Sequence, residues 1–224
     1  MKQEIHIPFT QIRMGRCLFL LVSILLVFLL RPFLTGYIGL SLLMEIFITA
    51  ILISAVYAAG RKRSLFITAF ILAALTALTR WSDYLIQNRS LAVLEEFFTL
   101  FFFGFMVVII LVHLFREEEV TFDLIIGSIC GYFLLGFLWA SLYSLLEIFK
   151  AGSFQIPESA GTEISSFSYY SFVTLTTLGY GDVTPLSSAA QSFSVLEAVA
   201  GQLFIAILMS RLVAIHVAQS QEQN

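Results

Sequence analysis

The sequence predicts an all-α membrane protein with six transmembrane helices and a short re-entrant helix and loop between the fifth and the sixth. Three observations predict it. Of the 224 residues, 59% are hydrophobic and 12% charged, a balance foreign to soluble domains. The apolar residues gather into six runs, read against the ~20 residues that cross a bilayer core of roughly 30 Å. Between the last two runs, the stretch Glu147 to Ser188 turns apolar again at FSYYSFVTLTT, too briefly to cross.

The first span runs from Cys17 to Leu30, with Phe33 and Leu34 able to extend it, and the second from Tyr37 to Ala59. The third covers Leu65 to Thr79, followed by an interfacial Trp81, and is the shortest unbroken run after the first. The fourth spans Phe97 to Phe115, the fifth Phe122 to Leu146 and the sixth Ala189 to Val213. The opening residues MKQEIHIPFTQIRMGR are mixed polar, and Arg31 and Pro32 follow the first run where a cleavage site would need small residues. The first run therefore counts as a span. This divides the chain into a cytoplasmic segment 1–16, a four-helix membrane domain 17–116, a second membrane domain 117–217 and a short cytoplasmic tail 218–224.

Six spans place both termini on one side, and the positive-inside rule selects it. With cytoplasmic termini the inner positions hold Lys2, Arg13, Arg16, Arg61, Lys62, Arg63, Arg116 and Arg211, against Arg31, Arg80, Arg89 and Lys150 outside. The expected location is the cell membrane, crossed several times, with lipid as solvent. A net charge of −3 argues against nucleic acid as a partner. His6, His113 and His216 lack metal-ligand spacing, and Cys17 and Cys130 read as small core residues. No catalytic constellation accompanies Asp182, so no enzyme activity and no cofactor are expected.

The stretch between the last two spans begins with the turn-rich AGSFQIPESAGTE and continues as a helix of about three turns. Ser165 or Ser166 is placed to cap its start and Gly179 to end it. Irregular backbone at membrane depth is tolerated only where it is buried in protein or lines a water-filled cavity. A loop that enters and returns thus predicts a pore.

The loop contains Thr176 to Asp182, TTLGYGD. A cation crossing the bilayer core loses its water, and backbone carbonyls that all point one way replace it. Carbonyls alternate in an ordinary strand, so a same-side row needs residues that switch between right-handed and left-handed conformations. Gly179 and Gly181, two apart, take the left-handed conformation without steric cost. Thr177 adds a hydroxyl at the inner end, while Leu178 and Tyr180 turn their side chains outward into surrounding protein. A dinucleotide fingerprint is excluded, because Thr184 stands at the third glycine position and no βαβ unit surrounds it.

SFVTLTTLGYGDVTP, Ser171 to Pro185, resembles the pore signature of tetrameric potassium channels, whose T-V-G-Y-G forms the selectivity filter. The resemblance covers roughly Phe122 to His216 and implies an outer helix, a pore loop and an inner helix. By that resemblance the carbonyls of Thr177, Leu178, Gly179, Tyr180 and Gly181 coordinate dehydrated K+ as the permeant ion, the Thr177 hydroxyl completes the innermost site, and Asp182 sits at the outer mouth. Thr176, Tyr169 and Tyr170 are placed to support the filter. Leu178 replaces the usual valine, and the tyrosine pair stands where the family often has tryptophans. One chain supplies one filter strand, so the resemblance implies a homotetramer, with each pore helix aiming its C-terminal end at the cavity.

In the sixth span, Gly201 marks either the bend of an inner helix or a close helix contact. Ile205, Leu208, Met209 and Leu212 below it are candidates for a hydrophobic gate. Glu197 is expected to pack behind the filter, hydrogen-bonded to pore-loop hydroxyls. Gly127 and Gly131 make a small-xxx-small packing face on the fifth span. The fourth span holds no arginine between Phe97 and Phe115, so steep voltage gating is not expected. Glu45 needs a cavity or a partner, Glu117 to Glu119 read as a solvated charge run, and Asn88 opens an NRS glycosylation match. The tail is too short for a sensor domain, leaving an unknown regulatory ligand or subunit to open the channel. The competing readings are a potassium transporter and a non-conducting regulatory subunit.

Overall fold

A computed structural model describes residues 16–34, 40–59, 63–116, 119–157 and 163–222. Among them run seven helices and one pair of two-residue strands. The order is α1 (Arg16–Leu34), α2 (Leu40–Ala59), α3 (Arg63–Ile86), α4 (Arg89–Arg116), α5 (Phe122–Phe149), β1 (Phe154–Gln155), α6 (Glu163–Leu175), β2 (Thr184–Pro185) and α7 (Ser188–Glu222). Among the described residues, α3, α4, α5 and α7 are long and apolar enough to cross a membrane. The described apolar stretches of α1 and α2, Cys17–Leu30 and Ile48–Ala58, are shorter.

Local chemistry sets several boundaries. Gln87 takes a left-handed φ of 51° between α3 and α4. Asn88 then caps α4, its side-chain oxygen accepting from the Ser90 amide at 3.0 Å, so the NRS asparagine has a structural task at this turn. Thr121 caps α5 in the same way through Leu124, with Asp123 favourably placed in the first turn.

Helix α5 is the centre of the molecule. Helices α1, α4 and α6 pack along it, and α2 and α3 complete a bundle on the α1 and α4 side. Leu20 and Ile24 of α1, Ile51 and Leu52 of α2, Phe102 and Met106 of α4, and Cys130 and Leu134 of α5 form one buried core. Three glycines of α5 let neighbours approach closely. A Cβ at Gly127 would lie 3.2 Å from the Cys17 sulfur, at Gly131 2.9 Å from Ile110 and at Gly136 2.6 Å from the Phe172 ring. The Gly127–Gly131 pair is packing, and Gly136, on another side of α5, makes a third close contact. Cys17 and Cys130 both lie in this region and form no disulfide among the described residues.

Several expectations need correction. Helix α3 continues to Ile86, so Arg80 is not an outer-loop cation but a helical residue only 8% exposed. It satisfies Glu45, whose carboxylate it binds through Nε and, at 3.2 Å, through Nη2. Helix α4 starts at Arg89, ahead of the expected Phe97, because the Asn88 cap draws Glu95 and Glu96 into it. Helix α7 runs on to Glu222 through most of the segment expected to be a tail. Glu117 and Glu118 of the acidic run and the residues before 16, His6 among them, lie outside the described residues.

Candidate functional site in the loop between α5 and α7

The chain leaves α5, makes β1, descends through α6 and climbs back to β2 before entering α7. Strands β1 and β2 pair antiparallel, Phe154 opposite Pro185 and Gln155 opposite Thr184. The Ser153 carbonyl accepts from the amides of Leu186 at 2.8 Å and Ser187 at 3.2 Å, so the excursion starts and finishes at one point. Glu147 at the end of α5 accepts from the amides of Gly152 (2.6 Å) and Phe154 (3.1 Å), fixing the turn into β1. Beneath this clip, Tyr143, Phe154, Phe167 and Tyr170 pack edge to face, with neighbouring ring centroids 5.1 to 5.5 Å apart. The cluster holds α6 against the outer part of α5.

Helix α6 begins at Glu163, so Ser165 and Ser166 sit within its first turn and do not cap it. Its end also differs from expectation. The amide of Leu178 donates to the Val173 carbonyl (2.9 Å) and that of Thr177 to the Thr174 carbonyl (2.9 Å). This is the paired 6→1 and 5→2 pattern of a Schellman cap, with Thr177 in the left-handed position that glycine usually fills. Thr177 has φ 58°. Helix termination is therefore Thr177's task, two residues before Gly179. A β-branched residue held there stores roughly 1–3 kcal/mol of backbone strain.

Beyond the cap the backbone alternates. Gly179 has φ 60° and Gly181 φ 77°, so with Thr177 every second residue from 177 to 181 is left-handed, and Leu178 and Tyr180 between them are not. Leu178 and Tyr180 are 55% and 67% exposed, so the described residues of their own chain do not enclose them. Asp182 accepts from the Val183 amide at 3.1 Å. It also accepts from the Tyr169 hydroxyl, which holds its carboxylate below the ordinary range and pushes the phenol up to about 12. Tyr169 thus supports Asp182. Tyr170 is buried and bonds Ser194 of α7 at 2.6 Å. The Thr176 hydroxyl is spent on the Phe172 carbonyl, 2.6 Å away within its own helix.

Helix α7 lies on α6 at two successive turns. Glu197, fully buried, approaches the Ser171 hydroxyl at 2.5 Å and accepts from the Tyr143 hydroxyl at 2.5 Å. Ser171 also lies 2.7 Å from the Gly136 carbonyl, which can only accept. Ser171 has one hydrogen, so a neutral carboxylic acid at Glu197, donating to Ser171, fits all three contacts. One turn below, a Cβ on Gly201 would stand 2.3 Å from the Leu175 carbonyl oxygen, which also accepts from the Tyr132 hydroxyl at 3.1 Å. Gly201 is thus a close-contact residue here. The last carbonyls of α6 are engaged by the cap, by Tyr132 and by the approach of α7, which leaves only the through-space dipole of α6 to act on a cavity.

The four gate candidates divide. Ile205 and Met209 are 43% and 55% exposed. Leu208 and Leu212 instead pack against Leu114, Leu124 and Ile215 of the same chain, so they are not on the free face.

Sequence reading expected a hydroxyl of this loop at Glu197, which is Ser171, but missed Tyr143, Tyr132 and Ser194, the other hydroxyls that hold this site. The signal was Glu197: a carboxyl in an apolar helix requires donors, and hydroxyl side chains were the donors within reach.

Residues 125–217 match a sequence family described as an ion channel. Over 88 residues, 38% of this chain, the sequence is 36% identical to the protein named Two pore potassium channel c of Oryza sativa subsp. japonica, covering 19% of that protein. Over 73 residues, 31% of this chain, it is 36% identical to Two-pore potassium channel 4 of Arabidopsis thaliana, covering 25% of it. The matches thus span only a fifth to a quarter of the length of these relatives. The family match falls on the unit from α5 to α7.

Proposed function

We propose that the chain is a potassium channel subunit, and that four copies conduct K+ passively through a central pore lined by Thr177, Leu178, Gly179, Tyr180 and Gly181. The observation that carries this reading is the alternation of left-handed backbone at Thr177, Gly179 and Gly181. That alternation turns successive carbonyls to one side, and a column of same-side carbonyls can replace the hydration shell of a cation. The ion-channel family match over the same residues supports it, as do the names of the two relatives.

The tetramer rests on exposure. Leu178 and Tyr180 are mostly uncovered by the described residues of their own chain, and only 17% of the apolar stretch of α7 is buried among them. Three neighbouring subunits would cover those faces. Six membrane crossings with cytoplasmic termini, Asp182 at the outer mouth, Tyr169 and Glu197 as supports, and Ile205 with Met209 at the inner constriction complete the proposal. Helix α4 carries only His113 as an ionisable residue between Phe97 and Phe115, so steep voltage dependence is not part of it.

The test is flux from liposomes holding the purified chain. Fast potassium efflux that excludes sodium and is blocked by barium is expected, and it should vanish in Gly179→Ala. Efflux that does not discriminate potassium from sodium, or that survives this substitution unchanged, would overturn the proposal.

A further inference from the structure

A second buried polar cluster lies outside the unit from α5 to α7, near the turn between α3 and α4. The Arg80 guanidinium stands between two helices: Nη1 is 2.8 Å from Glu95 Oε1 on α4, while Nε and Nη2 hold both oxygens of Glu45 on α2. The adjoining Glu96 is buried as well and lies beside the hydroxyls of Ser141 and Ser144 of α5. Glu95 and Glu96 are 4% and 6% exposed. One turn further along α4, the buried Thr99 hydroxyl has no partner among the described residues. The groups facing this pair are Arg80 and Asp83 from α3, Glu45 from α2, and the two serine hydroxyls from α5.

Three carboxyl groups here share one guanidinium, before Asp83 is added. Arginine stays charged under all ordinary conditions, so it balances one carboxylate. Two further negative charges sealed between helices, with hydroxyls as their other neighbours, are not tolerated, and protons must make up the deficit. Glu95 and Glu45 touch the cation. Glu96 lies beside the serine hydroxyls instead and is the natural holder of a proton.

We propose that Glu45, Arg80, Glu95 and Glu96 form a proton-responsive lock joining α2, α3 and α4 to α5. With its proton, Glu96 seats on Ser141 and Ser144 and α4 lies tight against α5. Without it, uncompensated charge faces α5 and the seam loosens. The seated form holds the extra protons, so it is favoured at low pH and lost as pH rises. Ser144 neighbours Tyr143, which bonds Glu197 and through it Ser171 of α6, so the lock bears on the loop. The lock itself rests on the packing of α2 to α5 and does not depend on the conduction reading.

The two tryptophans of the chain report on this seam. Trp81 follows Arg80 and donates to Thr49 at 3.3 Å, and Trp139 precedes Ser141 by one turn or less on α5. In the full chain in lipid nanodiscs, tryptophan emission and thermal stability should pass through a reversible transition as pH is raised, with the seated form on the acid side. The transition should be lost in Glu96→Gln and retained in Tyr169→Phe. If Glu96→Gln does not fold, Ser144→Ala should displace the transition instead. A wild-type chain without such a transition, or one that Glu96→Gln and Ser144→Ala both leave in place, overturns the lock. Potassium flux measured on the same preparations separates the two proposals: a transition without flux fails the channel reading alone, and flux without a transition fails the lock alone.

Discussion

Helices α5 and α7 are both long and apolar, and both frame the candidate site, yet they end up in opposite circumstances. Of the apolar window of α5, 56% is buried within the chain, against 17% for α7. Helix α5 meets α1, α4 and α6 through glycine notches, whereas α7 touches its own chain along one narrow strip and exposes Val195, Val199, Leu203 and Met209. The difference teaches that hydrophobicity alone does not say what a membrane helix faces. An apolar surface left open on α5 meets lipid or its own bundle. On α7 it stands beside a loop whose Leu178 and Tyr180 are equally uncovered, which is where copies of the chain would meet.

The sharpest way to break this comparison is at the point where α7 does touch its chain. Gly201→Val places a side chain where the Leu175 carbonyl oxygen would be 2.3 Å from its Cβ, and backbone cannot yield as a side-chain tip does. We expect loss of the assembled protein, seen as absence of the proposed tetramer by native mass spectrometry. A chain that assembles and conducts normally with valine there would show that α6 and α7 are not seated as described.

Next comes the exposed face. Val199→Arg should leave the single chain folded, by circular dichroism, and abolish assembly, because a charge would be forced into the contact between copies. If assembly is unaffected, α7 meets lipid at that face and the contrast with α5 collapses.

Glu197→Ala leaves the buried hydroxyls of Tyr143 and Ser171 without their shared partner and should cost about 1–3 kcal/mol. Glu197→Gln keeps one donor and one acceptor in place and should restore most of the loss in thermal unfolding. Equal melting of the two variants would argue against a neutral, hydrogen-bonding glutamate.

A finer contrast lies within α7. Met209→Ser on the exposed face should raise resting potassium flux with little change in stability, whereas Leu208→Ser should lower stability by opening the packing against Leu114 and Leu124. The reverse assignment would move the constriction to the other face.

The smallest expected effect concerns pH. Asp182 is held below the ordinary carboxylate range in the folded chain by Tyr169, so its contribution is present above that range and lost as pH falls through the depressed value. Tyr169→Phe should remove this acid-side loss of loop stability, read as the pH dependence of potassium flux or of thermal unfolding. As a fully exposed group Asp182 should show a modest change, and none at all would place its support elsewhere.

Much of this was legible in the sequence because the signals were local. Five of the six apolar runs fall inside helices and so does the second from Leu40 onward, its first residues 37–39 lying outside the described ones; the glycine pair at 179 and 181 takes the left-handed conformation its spacing implies, and the apolar dip before it is a short helix. What escaped was set by tertiary contacts. Arg80 reads as a loop cation until Glu45 and Glu95 are brought to it from two other helices. Thr177 has no local preference for a left-handed φ, and the Schellman pairing imposes one. Gly201 was open to two readings, because periodicity cannot distinguish a helix that bends from one that is approached. Leu208 and Ile205 have the same chemistry, and only packing separates them.

The glycines of α5 have a further consequence. Cys17, Ile110 and Phe172 each rest in a separate recess of the same rod, belonging to α1, α4 and α6. Such a rod behaves as a keyed shaft. Turning it even slightly about its own axis would throw all three keys at once, so small independent adjustments by any one neighbour are suppressed. A rotation of α5 would therefore disturb its seats against α1, α4 and α6 together rather than one at a time.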